Sequence, residues 1–117
     1  MLDAARAVTR YTLTVPATLN DGTLVPCSDI DHIEARLIAL VGGFTLTHGI
    51  GSWREDATVY HSEAVRIYAI DTDEPEYVAA PLRMLAEWIA LTLDQQAVYL
   101  TEQEISVRLI YRPNVLA

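Results

Sequence analysis

Residues 11–16, YTLTVP, alternate strictly: Tyr11, Leu13 and Val15 on one side, Thr12 and Thr14 on the other. A period of two over this length predicts a half-buried strand, ended by Pro16. The period then changes. In CSDIDHIEARLIALVGG, Ile30, Ile33, Leu37, Leu40 and Val41 recur at helical spacing. Ser28 is the expected N-cap, and Gly42 and Gly43 the stop. Alternation returns in FTLTHGI from Phe44 and in AVRIYAI, residues 64–70. The Gly-, Ser- and charge-rich segment between them reads as a hairpin with a long loop or bulged arms.

A second helical segment follows in DTDEPEYVAAPLRMLAEWIALTLDQ. Thr72 or Asp73 can cap it, and Pro75 suits its first turn. Val78, Leu82, Leu85, Ile89 and Leu93 form its apolar stripe. Pro81 removes an amide donor, so a kink or broken turn is expected there. Two short strands close the chain, at 97–101 and 105–111.

The order β-α-β-β-α-β-β predicts an α+β fold of the ferredoxin-like β-α-β-β-α-β type with an extra C-terminal strand. Both helices would cover one face of an antiparallel sheet. The divisions expected are an N-terminal extension over 1–10, a single domain over 11–112 and a C-terminal tail over 113–117. Parity puts Leu13, Val98 and Leu100 towards the helices and Thr12, Thr14, Thr45, Thr47, Tyr99 and Thr101 away. Strand 64–70 is apolar on both parities; pointing Val65 and Ile67 inward leaves Arg66 and Tyr68 outward.

Composition narrows the function. With 117 residues, 51% of them hydrophobic, the chain can bury a core as one domain. The net charge is −8 and no basic cluster offsets it, which disfavours nucleic acid as a direct partner. The carboxylates are scattered and read as solubilising. No apolar run approaches the roughly 18 residues that span a bilayer, so no membrane association is expected. The first ten residues do not read as a secretory signal, and the one cysteine, Cys27, rules out an internal disulfide framework. A cytoplasmic location is expected.

Motifs for chemistry are sparse. GGFTLTHGIG lacks the Gly-Lys-Ser/Thr ending of a phosphate loop and does not open a helix. Its glycines suit bulges and turns, or close approach to a ligand. His48 and His61 can face each other across the hairpin, with Glu63 or Cys27 as a third ligand. Their spacing matches no metal signature, so neither metal nor cofactor is expected. Ser52 is in no nucleophile elbow. Cys27 stands before a helix, where the dipole lowers a thiol pKa, but a lone cysteine is more often inert.

One hairpin, residues 48–63, together with the strand after it carries a mixed set: Trp53, Arg54, Tyr60, His61, Glu63, Arg66 and Tyr68. Arginine and aromatic residues anchor binding surfaces. The plainer account has Trp53 covering the end of the core and Arg54 pairing with Glu55 or Glu63. Tyr99 adds to the open, threonine-rich face.

The segments Gly42-Gly43-Phe44-Thr45, Gly49-x-Gly51-x-Trp53, Glu63-x-Val65-Arg66-Ile67-Tyr68 and Asp94-Gln95-Gln96-Ala97-Val98-Tyr99 give the chain a family resemblance. Over roughly residues 11–110 it resembles a group of small uncharacterised ferredoxin-like proteins of actinobacteria and their phages. All eight basic residues are arginine, a usage that fits a GC-rich genome. The resemblance implies a compact accessory protein with no established reaction. The leading expectation is therefore a non-enzymatic, homo-oligomeric binding protein of a phage or mobile element. Its open sheet face and hairpin would hold a partner protein, from host or phage, or a small polar ligand. The alternative is a small ferredoxin-like enzyme, of isomerase or cofactor-independent oxygenase type, with His61 paired to Glu63 or His48 as acid and base.

Overall fold

From Tyr11 to Val15 every second residue of the first strand is buried, and this alternation decides which side of the sheet meets the helices. The computed structural model describes residues 4–113. Its elements are β1 (Arg6–Pro16), α1 (Cys27–Val41), β2 (Thr45–Arg54), β3 (Tyr60–Thr72), α2 (Pro75–Thr92) and β4 (Tyr99–Val107). The strands form one four-stranded antiparallel sheet in the order β2-β3-β1-β4. The architecture is thus α+β, as its hydrophobic pattern predicts.

β1 starts five residues earlier than expected. Arg6 pairs with Val107 and Val8 with Ile105, and Val8 is buried. The Arg10 guanidinium donates two hydrogen bonds to the Asp71 carboxylate on β3, at 2.8 and 2.9 Å. Residues 6–10 therefore belong to the sheet, not to an N-terminal extension; residues 1–3 lie outside the described residues, as do 114–117 of the expected tail.

The C-terminal half of the sheet also differs. One strand, β4, replaces the two expected at 97–101 and 105–111. The polar link Glu102-Gln103-Glu104 contains no turn residue, and it continues the ladder opposite Tyr11, Arg10 and Thr9. No further strand follows β4 among the described residues.

α1 begins at Cys27 with Pro26 at its N-cap, so Ser28 lies inside the first turn and caps nothing. It ends where glycine permits: Gly42 has φ 85°, and its N–H donates to the Ile38 carbonyl at 2.7 Å. In α2, Pro75 occupies the first turn as expected, after Glu74. The Thr72 hydroxyl accepts from the Glu74 N–H at 3.0 Å just ahead of the helix. The helix runs on through Pro81, an exposed position.

Leu13, Val15, Ile33, Leu37, Tyr68, Leu82 and Ile89 are at most 1% exposed and belong to one cluster. Burying a side chain of this size contributes roughly 1.5–3 kcal/mol. β3 reverses its expected facing. Tyr68 pairs with Leu13 and Ile70 with Tyr11, so these residues point at the helices while Val65 and Ile67 point away. An aromatic hydroxyl is tolerated inside because polar partners meet it there. The Tyr68 hydroxyl donates to Glu34 Oε2 at 2.7 Å and accepts from Arg66 Nε at 2.9 Å.

The β2–β3 hairpin reaches past the helices. The radius of gyration is 17.3 Å and the molecule measures 62 × 29 × 29 Å. A compact chain of this length has a radius near about 13 Å. The excess length is consistent with this projecting arm, on which none of the residues of β2 is fully buried.

Candidate functional site

The arm is a paired ladder with a short turn, not a long loop. Pairing continues from Thr45↔Ala69 to Arg54↔Tyr60, which leaves residues 55–59 to reverse the chain. Asp56 organises that turn. Its Oδ1 accepts from the Thr58 N–H at 2.7 Å, the Thr58 hydroxyl at 2.8 Å and the Val59 N–H at 2.9 Å. These bonds hold the Asp56 carboxyl below its usual pKa.

The register then brings distant residues together. Trp53 lies opposite His61, and Gly51 opposite Glu63. The Trp53 and His61 rings stack at 5.1 Å, 18° from parallel. His61 Nε2 is 3.0 Å from Glu55 Oε2. Thr14 on β1 pairs with Tyr99 on β4, which carries Tyr99 to the same open face.

A hollow of about 600 Å³ opens on this face. Val65 and Ile67 line it along β3, with Ile50 and Trp53 from β2 and Val98 and Tyr99 from the start of β4. Thr14 and Glu63 supply polar side chains. The carboxylate of Glu63 makes no hydrogen bond or ion pair among the described residues. Gly51 makes room: a Cβ there would stand 3.3 Å from Val65 Cγ1. At Gly49 a Cβ would stand 3.2 Å from Ile67 Cδ1. Neither glycine is a turn or has positive φ; both keep the sheet surface low.

A second hollow adjoins the first and shares Trp53, Gln95 and Ala97 with it. It is polar, bordered by Glu55, His61, Asp94 and Asn20. Asp94 leaves α2 with φ 52°, a left-handed exit that turns Gln95 towards the 17–26 loop. Gln95 Nε2 donates to Asn20 Oδ1 at 3.0 Å and to the Leu93 carbonyl at 3.1 Å.

Trp53, His61, Glu63 and Tyr99, expected on sequence grounds, share this site. Arg66 and Tyr68 do not. They face α1, where Arg66 meets Glu34 at 3.2 Å and burial pushes the Tyr68 phenol up to about 12. Arg54 and Tyr60 pair with each other in register on the opposite parity to Trp53. Arg54 bonds to neither Glu55 nor Glu63, because Glu55 is taken by His61. His48 lies opposite Arg66, on the other face from His61, so the two histidines do not meet. Cys27 is exposed on the first turn of α1. Among the described residues no group of three His, Cys, Asp or Glu side chains is placed to hold a metal ion.

The fold has a counterpart. The fold is similar to that of a phage SAM lyase, solved in complex with S-methyl-5'-thioadenosine. The likeness has a TM-score of 0.64 and covers 91% of this chain and 93% of the other, at 12% identity. No family model matches the chain, and no curated protein matches its sequence. The likeness to a small phage protein thus rests on fold, and no sequence relative supports the actinobacterial group. The expectation of a non-enzymatic accessory protein is corrected here, because the matched fold is one that carries an enzyme. The isomerase or oxygenase alternative finds no support in it either. No helix among the described residues is long and apolar enough to cross a membrane.

Sequence reasoning missed Ile50, Val98 and Gln95 as site residues. Asp94-Gln95-Gln96, a polar run straight after an apolar helix, was the available signal for the last.

Proposed function

We propose that the chain is an enzyme that cleaves S-adenosylmethionine and releases S-methyl-5'-thioadenosine. The observation that carries this reading is the open-face hollow: apolar, flanked by Trp53 and Tyr99, with Glu63 as its one carboxylate. The fold likeness supplies the substrate class. We also read the strand order β2-β3-β1-β4 as ferredoxin-like, each central strand leading through a helix to an outer one.

The chemistry suits such a hollow. Methylthioadenosine keeps the sulfur, its methyl group and the adenosyl group, so the bond broken joins sulfur to Cγ of the amino-acid chain. Its electron pair stays on sulfur and neutralises the sulfonium. The substrate's own carboxylate oxygen bonds to Cγ and closes homoserine lactone, so no external base or oxidant is required. A cation and an anion annihilate in this step. An apolar wall that displaces water favours it, because the sulfonium and the carboxylate lose more solvation there than the thioether and the ester that replace them. Aromatic side chains offer faces to the purine. Glu63 offers acceptors to the ribose hydroxyls, which would position the adenosyl group.

The test is direct. The purified protein is incubated with S-adenosylmethionine, and the products are separated by liquid chromatography. Methylthioadenosine and homoserine lactone are expected in equal amounts. Glu63→Gln should lower the rate by about 100-fold, the scale on which loss of a positioned charged contact acts. Absence of turnover by the wild-type chain, at micromolar enzyme over hours, sinks the reading.

A further inference from the structure

The apolar hollow accounts for the adenosyl half of the substrate and leaves the amino-acid half unplaced. Resting on the function proposed above, we infer that the adjoining polar hollow binds the α-ammonium group of S-adenosylmethionine through Glu55 and Asp94. The two hollows meet around Trp53, Gln95 and Ala97, so one ligand can occupy both.

Charge makes the assignment. Glu55 and Asp94 bring two carboxylates to the polar hollow, and neither Lys nor Arg lines it. Glu55 has His61 as its partner; the Asp94 carboxylate has no hydrogen bond or ion pair among the described residues. A compact ammonium, with three donors, complements such a set. The same lining leaves the substrate carboxylate without a cationic partner. That carboxylate is the nucleophile of the proposed step, and a guanidinium bound to it would draw off its electron density.

The surrounding groups are held in place. The His61 ring is fixed between the Trp53 stack and Glu55. Asn20 Nδ2 donates to the Asp94 carbonyl at 2.9 Å, which ties the 17–26 loop to the end of α2. The Glu55 carboxylate is therefore held to the hairpin through His61, and the backbone at Asp94 is tied to the 17–26 loop.

Isothermal titration separates this inference from the reading beneath it. Wild-type protein, Glu55→Gln and Asp94→Asn are each titrated with S-methyl-5'-thioadenosine and with S-adenosylmethionine, using turnover-impaired Glu63→Gln as the common background if cleavage interferes. Both variants should bind methylthioadenosine within about twofold of the parent and lose about tenfold or more for S-adenosylmethionine, the scale of one charge-assisted hydrogen bond. Both residues are exposed, and unchanged melting temperatures would show that the variants fold. Equal losses for both ligands, or none for S-adenosylmethionine, overturn the ammonium site while leaving the adenosyl site standing. A parent that binds neither ligand overturns both.

Discussion

Tyr68 and Glu63 stand five residues apart on β3 and project from opposite faces of it. Tyr68 meets α1, is fully buried, and has a hydrogen-bond partner on each side of its hydroxyl. Glu63 meets a hollow and has no partner among the described residues. Both are polar groups on a hydrophobic strand. The difference is what the fold has done about them. A buried polar group is tolerated when satisfied, and the inner face has spent Glu34 and Arg66 on doing so. A polar group left unsatisfied at the edge of an apolar hollow is available to a ligand. Inner-face substitutions should therefore cost stability and leave ligand binding alone, and outer-face substitutions the reverse.

The largest expected effect lies within the inner face. Leu82 on α2 is fully buried in the cluster with Leu13 and Tyr68. Leu82→Ala removes apolar contact and leaves a cavity, for a loss of about 2–5 kcal/mol in urea titration. A loss below about half a kcal/mol would mean that α2 does not pack where the inner face requires it.

How much of this contrast was legible beforehand depends on the strand. β1 could be read from its residues, because Leu13 and Val15 alternate with Thr12 and Thr14 and only one face can be buried. β3 could not. Val65 and Ile67 compete with Tyr68 and Ile70, and propensity favours neither set. What decides is Glu34, thirty-four positions away on α1, which satisfies the Tyr68 hydroxyl. That is a tertiary fact. The outer site was legible in pieces for the same reason. Trp53, His61, Glu63 and Tyr99 stood out by residue type, but their meeting depends on the β2–β3 register and on β4 lying beside β1. Gly51 contributes space, which no residue-type argument detects.

A middle-sized effect sharpens the inner half of the comparison. Tyr68→Phe removes one donor to Glu34 and one acceptor from Arg66, but leaves those two paired at 3.2 Å. The loss should be about 1–2 kcal/mol at neutral pH. The alkaline side gives a second reading. Burial, with Glu34 adding to it and Arg66 opposing, raises the Tyr68 phenol to about 12, against about 10 in the unfolded chain. The raised pKa means that the folded state keeps the proton after the unfolded state has lost it. Its contribution is therefore complete below pH about 10 and is lost as pH climbs from about 10 to about 12. Stability of the wild type should fall across that window, and part of the fall should vanish in Tyr68→Phe. An identical pH profile in the two proteins would place the phenol in contact with solvent.

The smallest expected effect tests whether the inner face is satisfied throughout. Tyr11 lies on the same face as Leu13, pairs with Ile70 and Glu102, and is 4% exposed. Its hydroxyl is buried without a hydrogen-bond partner. Burial, with the charge of neighbouring Glu102 adding to it, pushes this phenol up to about 12, but the contact lacks the geometry of a hydrogen bond. Tyr11 is thus the exception on its own face: a desolvated hydroxyl that nothing offsets. Removing such a group returns its desolvation cost, while the ring keeps its packing. Tyr11→Phe should therefore change stability by between zero and a gain of about 1 kcal/mol in urea titration at neutral pH. It should also remove one of the two late-titrating phenols seen by ultraviolet absorbance between pH about 10 and 12. A loss greater than about 1 kcal/mol would show that Glu102 accepts from the hydroxyl in solution. In that case the contrast between the satisfied inner face and the unsatisfied outer one would hold without exception.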